Sequence, residues 1–468
     1  MPFSLFNVKA LMPEIFLVIV ASVMVLLDRA VREKAFFFWT ALVGTVVAWV
    51  LARESLDLHF GASYLSDHYG FFFKTIFLLV LFLTILISPG YAKREGFHFG
   101  EYYALLFFAV CGMMLMASGM DLLVIYLGLE LMSLSVYVLV ALSVRDSRSL
   151  EGSIKYFLLG SLASAFLVLG LAVIYGKTGK IVLPELVERI SSDKAVLTGI
   201  VLFIVAFGFK VAMVPFHMWA PDAYEGAPTP VTAFMSVAAK AAGFAALGRI
   251  FLLAFSPAYV YWVKLLIPFA VLTMFVGNIL AVVQTNIKRM LAYSSVAHGG
   301  YLLLGIVAGT REGLSAVMLY LLIYAFMNLG AFAVVVLMQR ESGVGENIFD
   351  YQGLAKVFPV PAFLMLLFMF SLTGIPPTAG FIGKFYLFRE VVHAGYPWLA
   401  VLAVLASVIA AYPYLRIVML MYMREPEAEI RPATSPYLWM ALGISALGVI
   451  ALGIYPGSIF ETALASVF

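Results

Sequence analysis

Runs of apolar residues, separated by short polar connections, recur along the whole chain. Most runs approach the roughly 20 residues that an α-helix needs to cross the hydrocarbon core of a bilayer. Only helices or closed barrels satisfy their backbone hydrogen bonds in lipid, and runs of this length favour helices. We therefore predict an all-α, polytopic membrane protein. Its fourteen expected spans lie near residues 10–28, 35–52, 70–88, 102–118, 120–143, 152–175, 195–220, 229–255, 260–284, 287–308, 313–339, 358–390, 396–422 and 436–456.

Two of these spans depart from the plain apolar pattern because prolines interrupt them. Span seven runs into Pro215 and Pro221, and span twelve contains the pair Pro376–Pro377. Broken backbone at membrane depth is tolerated only inside protein or beside a water-filled cavity. Interruptions five spans apart favour an internal repeat, which is inverted because each unit has an odd number of spans. The predicted units are residues 1–100 (helices 1–3), 101–255 (helices 4–8, the first repeat), 256–425 (helices 9–13, the second, inverted repeat) and 426–468 (helix 14).

The distribution of Lys and Arg between alternate loops predicts the orientation, because cytoplasmic loops carry more of them. One side holds fifteen, among them Lys288, and the other holds ten, among them Arg249. This difference favours both termini on the non-cytoplasmic side. The first apolar run contains Glu14 and has no cleavage motif after it, so we expect it to remain as the first span.

Composition excludes several other classes of protein. The 468 residues are 64% hydrophobic and 12% charged, whereas a soluble domain has about a quarter charged residues. The single cysteine, Cys111, excludes a disulfide framework and an iron–sulfur cluster held by this chain alone. The sequence contains no glycine-rich nucleotide loop, P-loop or metal-ligand motif. We expect this chain to bind no metal and no cofactor of its own.

Ionisable side chains inside spans are costly in lipid and are functional candidates by default. Glu130 is the one carboxylate near the middle of a predicted span. It is either kept protonated or hydrogen-bonded by Ser133 or Tyr126, or it is paired with Lys210. Lys210 either extends to the membrane surface or, with a partner that can move, alternates between holding and releasing a proton.

Three further lysines lie within predicted spans. Lys240 is eleven residues into its span, too deep to reach the surface easily, among small residues that permit close helix packing or water. Lys384 follows the proline pair, beside Gly380 and Gly383. For both, a structural role and a place on a buried polar path are the alternatives. Lys74 is only five residues into its span, so we expect it to extend to the surface.

Two histidines are candidates for a proton relay, because imidazole titrates near physiological pH. His298 lies ten residues after Lys288 in the tenth span and is either a relay or a hydrogen-bonded structural residue. His217 lies in the first broken segment, where a structural role is favoured slightly. In the loop that follows, we expect Asp222 to cap a turn and Glu225 to meet a basic loop.

Several long motifs resemble one known family. They are YLGLELMSLSVYVLVAL (126–142), EGSIKYFLLGSLASAF (151–166), PFHMWAPDAYEGAPTPVTAF (215–234), KRMLAYSSVAHGGY (288–301) and TGIPPTAGFIGKFYLF (373–388). Over about residues 100–425 the chain is similar to the antiporter-like membrane subunits of respiratory complex I. The resemblance implies fourteen helices with inverted five-helix repeats, each containing a broken helix.

The same resemblance implies roles for the charged residues. Glu130 matches the family's fifth-helix glutamate, and Lys210, Lys240 and Lys384 match its seventh-, eighth- and twelfth-helix lysines. In that scheme Lys210 and Glu130 load a proton, and Lys240 and the region of His298 carry it along a hydrated axis. Lys384 then leads to an exit or couples to the neighbouring subunit.

The resemblance also implies the surroundings of the chain. It would be a proton-translocating membrane-arm subunit of NADH–quinone oxidoreductase in a bacterial inner membrane. Its neighbours would be the antiporter-like subunit M and subunits K and J, while NADH, FMN, iron–sulfur clusters and quinone would be bound by partner subunits. Alternatives are the equivalent subunit of a ferredoxin- or hydrogenase-linked complex, a multisubunit cation/proton antiporter, and a structural spacer.

Overall fold

The sequence folds into a bundle of helices in this computed structural model, which describes residues 7–31, 33–97, 99–339, 345–426 and 435–468. Three of the fifteen loop residues that favour the predicted orientation, Arg32, Arg340 and Arg431, lie outside the described residues. Their contribution to orientation is a prediction from sequence only.

Nearly all regular structure in these ranges is helical, as the hydrophobic pattern predicts. A small antiparallel hairpin is added after the second helix, with strands β1 (Leu58–Phe60) and β2 (Tyr64–Ser66). The helices are α1 Met12–Leu27, α2 Lys34–Glu54, α3 His68–Glu95, α4 Phe99–Ser118, α5 Leu122–Val140, α6 Ser147–Thr178, α7 Leu183–Val187, α8 Lys194–Lys210, α9 Trp219–Gly226, α10 Thr229–Phe234, α11 Lys240–Leu247, α12 Tyr259–Val282, α13 Ile287–Ala308, α14 Arg311–Met338, α15 Leu354–Val357, α16 Pro359–Thr373, α17 Ala379–His393, α18 Pro397–Met423, α19 Pro436–Ile454 and α20 Gly457–Ser466.

Twelve helical segments of the described residues are long and apolar enough to cross a membrane. They coincide with twelve of the fourteen predicted spans. The other two are the seventh and the twelfth, where α8 has 17 residues and α16 and α17 have 15 each. Both interruptions contain the expected prolines. The prediction of an all-α membrane protein with two broken spans is therefore confirmed.

Polar residues in the connections determine where many helices begin. Asp67 accepts a hydrogen bond from the Gly70 N–H at 2.8 Å, and Asn286 accepts from the backbone N–H groups of the first turn of α13. Such caps satisfy donors that have no partner within the helix and contribute about 1 kcal/mol each. The same capping occurs at Asp121, Asp146, Asp193 and Thr310.

The first break, between α8 and α9, turns the chain inside the protein. Ala212 has φ 57°, a left-handed conformation that a residue other than glycine adopts only where its surroundings impose it. The peptide bond from Val214 to Pro215 is cis. The Val214 N–H, which no longer has a partner in a helix, donates to the Thr273 hydroxyl of α12 at 2.9 Å. A neighbouring helix thus satisfies backbone that the break has freed.

The second break, between α16 and α17, depends on glycine. Gly374 has φ 88°, and the bond between Pro376 and Pro377 is cis. Where the chain resumes, the Gly380 N–H donates to the Ser371 hydroxyl at 3.1 Å. A Cβ atom at Gly380 would lie 1.7 Å from the Ser371 carbonyl oxygen, so no larger residue fits without moving the backbone.

The centre of the bundle consists of three crossings. In the continuous helical segment Thr229–Ala254, in α13 and in α14, 89%, 94% and 89% of the apolar window is buried. The first of these joins α10 and α11 through the π-helical stretch Met235–Ala239 and ends in a second one, Gly248–Ala254. In α6, by contrast, only 28% is buried. Polar side chains on the three central crossings therefore face protein, not lipid.

Lys74 contradicts the expectation that it extends to the membrane surface. Its side chain is fully buried, and its Nζ lies 2.9 Å from the carboxylate of Glu14, which is 3% exposed. The Tyr64 hydroxyl joins the pair, because it accepts from Lys74 at 2.7 Å and donates to Glu14 at 2.5 Å. The expectation was wrong because it considered depth alone and not a carboxylate sixty residues earlier in the chain.

Arg249, counted above among the loop residues, is also buried, with 0% exposed. Its guanidinium lies 2.5 Å from Asp67 and donates to the Ala117 carbonyl, also at 2.5 Å. The end of the Thr229–Ala254 segment is thereby attached to α3 and α4.

We expect Lys74→Met to lower the thermal stability of the protein, because it leaves the Glu14 carboxylate buried without its counter-charge. Removing one partner of a buried ion pair costs about 3–5 kcal/mol. The double variant Glu14→Leu/Lys74→Met removes the uncompensated charge and should recover most of this loss. The measurement is the temperature at which half of the chain has been lost from the soluble fraction of a heated detergent extract.

The control for this experiment is Lys9→Met, at an exposed lysine just before α1. It should leave the half-loss temperature unchanged. Equal losses in the single and double variants would show that the packing of the lysine stem, and not the charge balance, determines stability.

Candidate functional site

Lys210 is the last residue of α8 and points into the protein instead of reaching the membrane surface. Only 5% of the residue is exposed. Its ammonium group donates hydrogen bonds to Ser133 Oγ at 2.7 Å and to Tyr137 Oη at 3.3 Å, both on α5. The rings of Tyr137 and Phe209 lie 5.6 and 5.5 Å from the nitrogen, within the range of cation–π attraction.

Glu130 lies on the same helix, three residues before Ser133, but forms no ion pair with Lys210 in the described part of the chain. Its carboxylate accepts a hydrogen bond from the Ser164 hydroxyl of α6. Ser133 and Tyr126, the two partners expected from the sequence, do not donate a hydrogen bond to Glu130. Glu130 and Ser133, which holds Lys210, thus lie on one turn of α5, but Glu130 and Lys210 each have a hydroxyl partner of their own.

Lys240 begins α11, directly after a π-helical stretch, and is 2% exposed. Its Nζ donates to Ser295 of α13, to the backbone carbonyl and, at 2.6 Å, to the hydroxyl. The centroid of the Tyr324 ring is 6.0 Å away. A Cβ atom at Gly299 would lie in ordinary contact with this Nζ, at 3.7 Å, but tightly against the Val211 carbonyl oxygen, at 3.1 Å.

His298 has a hydroxyl on each side of its ring. Nδ1 pairs with Tyr320 Oη at 2.5 Å, and Nε2 faces Tyr414 Oη at 3.3 Å. The Tyr301 and Tyr324 rings pack against the imidazole, with centroids 5.8 and 5.1 Å away. An imidazole that is hydrogen-bonded at both nitrogens can pass a proton from one side to the other. The same contacts also fix the ring, so both alternatives derived from the sequence remain open.

Lys384 faces the interior of the protein, with 4% of the residue exposed. Its Nζ donates to the Thr373 carbonyl at 2.8 Å, which is one of the groups freed where α16 ends. The nitrogen also lies 4.8 Å from the centroid of the Tyr301 ring of α13. The Tyr301 hydroxyl in turn accepts from the Asn278 amide at 3.0 Å. The second break thus supplies the acceptor for its own lysine.

Helix α13 connects most of these groups. Ser295 binds Lys240, His298 lies three residues further along, and Tyr301 faces Lys384 another three residues on. This spacing places the three side chains within about 9 Å along the helix axis. The residue after Lys210, Val211, approaches the same helix, because its carbonyl oxygen would lie 3.1 Å from a Cβ atom at Gly299. The result is a buried row of amines, imidazole and hydroxyls.

His217 does not join this row. It is buried in the first break, and its Nδ1 makes no hydrogen bond among the described residues. The described ranges also contain no group of three His, Cys, Asp or Glu side chains that could hold a metal ion.

Acidic and basic groups meet at one end of the site, around α9. Asp222 pairs with Lys155 and Arg289, each at 2.7 Å, instead of capping a turn. Glu225 forms an ion pair with the same Arg289 at 2.8 Å, in agreement with the expectation that it contacts a basic loop. Partial burial alone would raise the pKa of Asp222, but the hydrogen bonds from Lys155 and Arg289 outweigh it and lower the pKa below its ordinary value.

The sequence did not identify the hydroxyls that hold the charged groups. Ser164 and Ser295 were not singled out, and Tyr320 and Tyr414 are surrounded by ordinary apolar residues. Serine and tyrosine are common in membrane helices, so single occurrences carry little signal. One usable signal was the spacing of Ser295 and His298, which places both on neighbouring positions of one helix face.

Comparison with known proteins supports what the motifs suggested. Residues 119–410 match the family described as NADH:quinone oxidoreductase/Mrp antiporter, TM. The chain is 46% identical to NADH-quinone oxidoreductase subunit N 2 of Rhizobium meliloti (strain 1021), over 98% of this chain and 97% of that protein.

Solved structures agree with this assignment. A chain in respiratory complex I from Thermus thermophilus with bound Aureothin superposes with a TM-score of 0.84 at 33% identity, covering 96% of this chain and 98% of that one. A chain of the Mrp complex from Dietzia sp. DQ12-45-1b has a TM-score of 0.82 at 22% identity, over 99% and 98% of the two chains, and so shares the fold. This chain therefore belongs to the NADH:quinone oxidoreductase/Mrp antiporter family of membrane proteins.

Proposed function

We propose that this chain serves as subunit N of a bacterial NADH–quinone oxidoreductase and translocates protons across the inner membrane. The observation that supports this most directly is the buried row on α13, where Ser295 binds Lys240, the His298 ring packs on Tyr301 and the Tyr301 ring faces Lys384. A membrane protein that needed only a scaffold would have no reason to carry buried amines there, since ionisable groups inside a membrane are costly.

The chemistry follows from the partners of the lysines. In the described residues, Lys210, Lys240 and Lys384 contact hydroxyls, carbonyls and ring faces, and no carboxylate lies within ion-pair distance of them. A low-dielectric interior disfavours the charged form of an amine unless a counter-charge compensates for it. Amines held by neutral acceptors are therefore suited to gain and lose protons.

The proposed route begins at Glu130 and Lys210, which exchange a proton when the carboxylate leaves Ser164 and turns toward the amine. The proton then passes to Lys240, along the hydroxyls around His298, and to Lys384. His217, which is isolated from these groups, acts in packing the break. From Lys384 the proton reaches the far side of the membrane or a neighbouring subunit.

The partners of the chain and its orientation in the membrane belong to the same proposal. NADH, FMN, iron–sulfur clusters and quinone are bound by partner subunits and not by this chain. Subunit M, another antiporter-like protein, and subunits K and J are its neighbours in the membrane. Both termini lie on the non-cytoplasmic side, and residues 101–255 and 256–425 form the two inverted halves.

Isolation of the chain in its native assembly tests this setting. We expect a mild-detergent extract to yield the chain together with flavin- and iron–sulfur-containing subunits that oxidise NADH, as the 46% identity to a subunit N predicts. Mass spectrometry of the isolated assembly identifies the partner subunits. Recovery with hydrogenase or ferredoxin-linked subunits, or sodium-dependent proton flux without an electron donor, would contradict the proposal.

Lys240 variants test the buried row. A hydrogen bond to a charged group contributes about 1.5–3 kcal/mol. Lys240→Ala should therefore slow proton pumping by about tenfold or more, and Lys240→Arg should retain more activity because it keeps the charge. The measurement is the rate of proton uptake in membrane vesicles, together with its ratio to NADH oxidised. Lys194→Ala, at an exposed lysine, is the control; equal activity of the arginine and alanine variants would show that charge is not what Lys240 supplies.

Glu130→Ala and Lys210→Ala test the proposed loading pair in the same assay. Each should lower the proton-to-electron ratio, because either change removes one group of the exchange. The double variant should be no worse than the more affected single variant, as expected for residues that act as a unit. Glu151→Ala, at an exposed glutamate of α6, is the matched control. A normal ratio in both single variants would exclude the pair from the pathway.

A further inference from the structure

A polar cavity of about 250 Å³ lies at the end of α9, outside the row of groups described so far. Its wall includes Arg148, Gln339 and Glu346, and its lining continues to Gly226, Ala227 and Lys288. A water molecule occupies about 30 Å³ of the liquid, so several waters fit among these polar groups. The cavity lies at the end of the bundle to which the larger set of basic loop residues is assigned.

Lys288 lies at the buried side of this cavity. It was assigned to a loop from the sequence, but only 2% of the residue is exposed. Its Nζ donates to the carbonyls of Glu225 and Ala227, at 2.6 and 2.7 Å, where α9 ends. Free carbonyls at the end of a helix attract a cation. The amine is therefore fixed between the cavity and the interior.

Glu346 is the carboxylate that connects water with this lysine. Its side chain is 12% exposed and lies 3.5 Å from Lys288 Nζ and 3.1 Å from Arg148, whose side chain is 48% exposed. The amides of Gln339 and Asn286 donate to it at 3.2 and 3.5 Å. One carboxylate thus touches an exposed cation on one side and a buried amine on the other.

The groups beyond Lys288 lead to the site. Ser295, which holds Lys240, lies seven residues after Lys288 on α13. Seven residues are nearly two full turns, so both side chains share one face about 10 Å apart. Tyr224 of α9 is 2% exposed, and its side chain lies near Ser295. Thr229, two residues after the Ala227 carbonyl that Lys288 binds, has a fully buried hydroxyl that makes no hydrogen bond among the described residues.

We propose that this cavity is where protons pass between water and the buried row, with Glu346 as the exchanging carboxylate and Lys288 as the first buried carrier. Glu346 accepts a proton from cavity water. Lys288, which then lacks an anionic partner, releases one proton toward Ser295 and Lys240, and the proton on Glu346 transfers to the neutral amine. One proton has moved inward, and both groups have returned to their starting charge. This inference rests on the proposed proton translocation.

Glu346→Gln tests the proposal in the assembled complex. The amide keeps the shape and one of the two acceptor oxygens but cannot carry the proton. A positioned proton-transfer group contributes about a hundredfold or more, part of which water can replace, so we expect pumping to fall by about tenfold. The matched control is Glu425→Gln, which removes the carboxylate of the exposed Lys356–Glu425 ion pair. Unchanged pumping in Glu346→Gln overturns the proposal.

A chemical rescue separates proton exchange from simple charge pairing. In a Cys111→Ser background, Glu346→Cys is treated with carboxyethyl or sulfonatoethyl methanethiosulfonate. Both reagents restore a negative charge, but a carboxylate is basic enough to take up a proton and hand it on, whereas a sulfonate is too weak a base to do so. We expect recovery with the carboxyethyl reagent alone. Equal recovery with both reagents, or recovery with neither, overturns the role of Glu346 as the exchanging group.

The Lys240→Ala variant distinguishes failure of this inference from failure of the proposed function. If Lys240→Ala abolishes pumping while Glu346→Gln pumps normally, protons reach the row by another route and only the cavity proposal is wrong. If Lys240→Ala pumps normally, the proposed function itself is wrong.

Discussion

A charge at membrane depth must be compensated by the protein, and the structure depends on how this chain does so. For three lysines the compensation comes from neutral oxygens: hydroxyls of Ser133 and Ser295 and the carbonyl of Thr373. Neutral acceptors hold an ammonium without fixing its charge, whereas a carboxylate would. The bundle surrounds these contacts with three almost fully buried crossings, and the outer helices provide the lipid-facing surface.

The buried pair of Glu14 and Lys74 shows the opposite solution in the same chain. A carboxylate, a tyrosine hydroxyl and an amine within hydrogen-bond distance satisfy one another. Such a pair fixes how α1 and the hairpin pack on α3, because separating its groups would leave buried charges without compensation and destabilise the fold. The protein therefore uses charge pairing for attachment and neutral acceptors along the row on α13.

Much of the fold followed from the sequence because it depends on local properties. Length and hydropathy predict the spans, and prolines predict the breaks. The lysines at 210, 240 and 384 stood out because a charge in an apolar run has few ordinary explanations. The partners could not be predicted in this way. Ser164 reaches Glu130 from another helix, and Glu14 reaches Lys74 across sixty residues, which are contacts that only the packed bundle defines. Lys288 was likewise assigned to a loop because the carbonyls that bind its buried amine belong to α9 and the residue after it, far away in the sequence.

The spacing of the anchors on α13 limits how many charges the row can hold at once. Ser295 and Tyr301 are six residues apart, so the groups that contact the two amines are separated by about 9 Å along the helix axis. Two positive charges about 9 Å apart repel each other by about 2 kcal/mol at an effective dielectric constant of about 20, and by less where they are also offset across the helix. Repulsion of this size disfavours the state in which both amines are protonated by up to roughly thirtyfold. Protonation of one amine thus favours release of the proton from the other, and the row favours states in which one amine is protonated at a time.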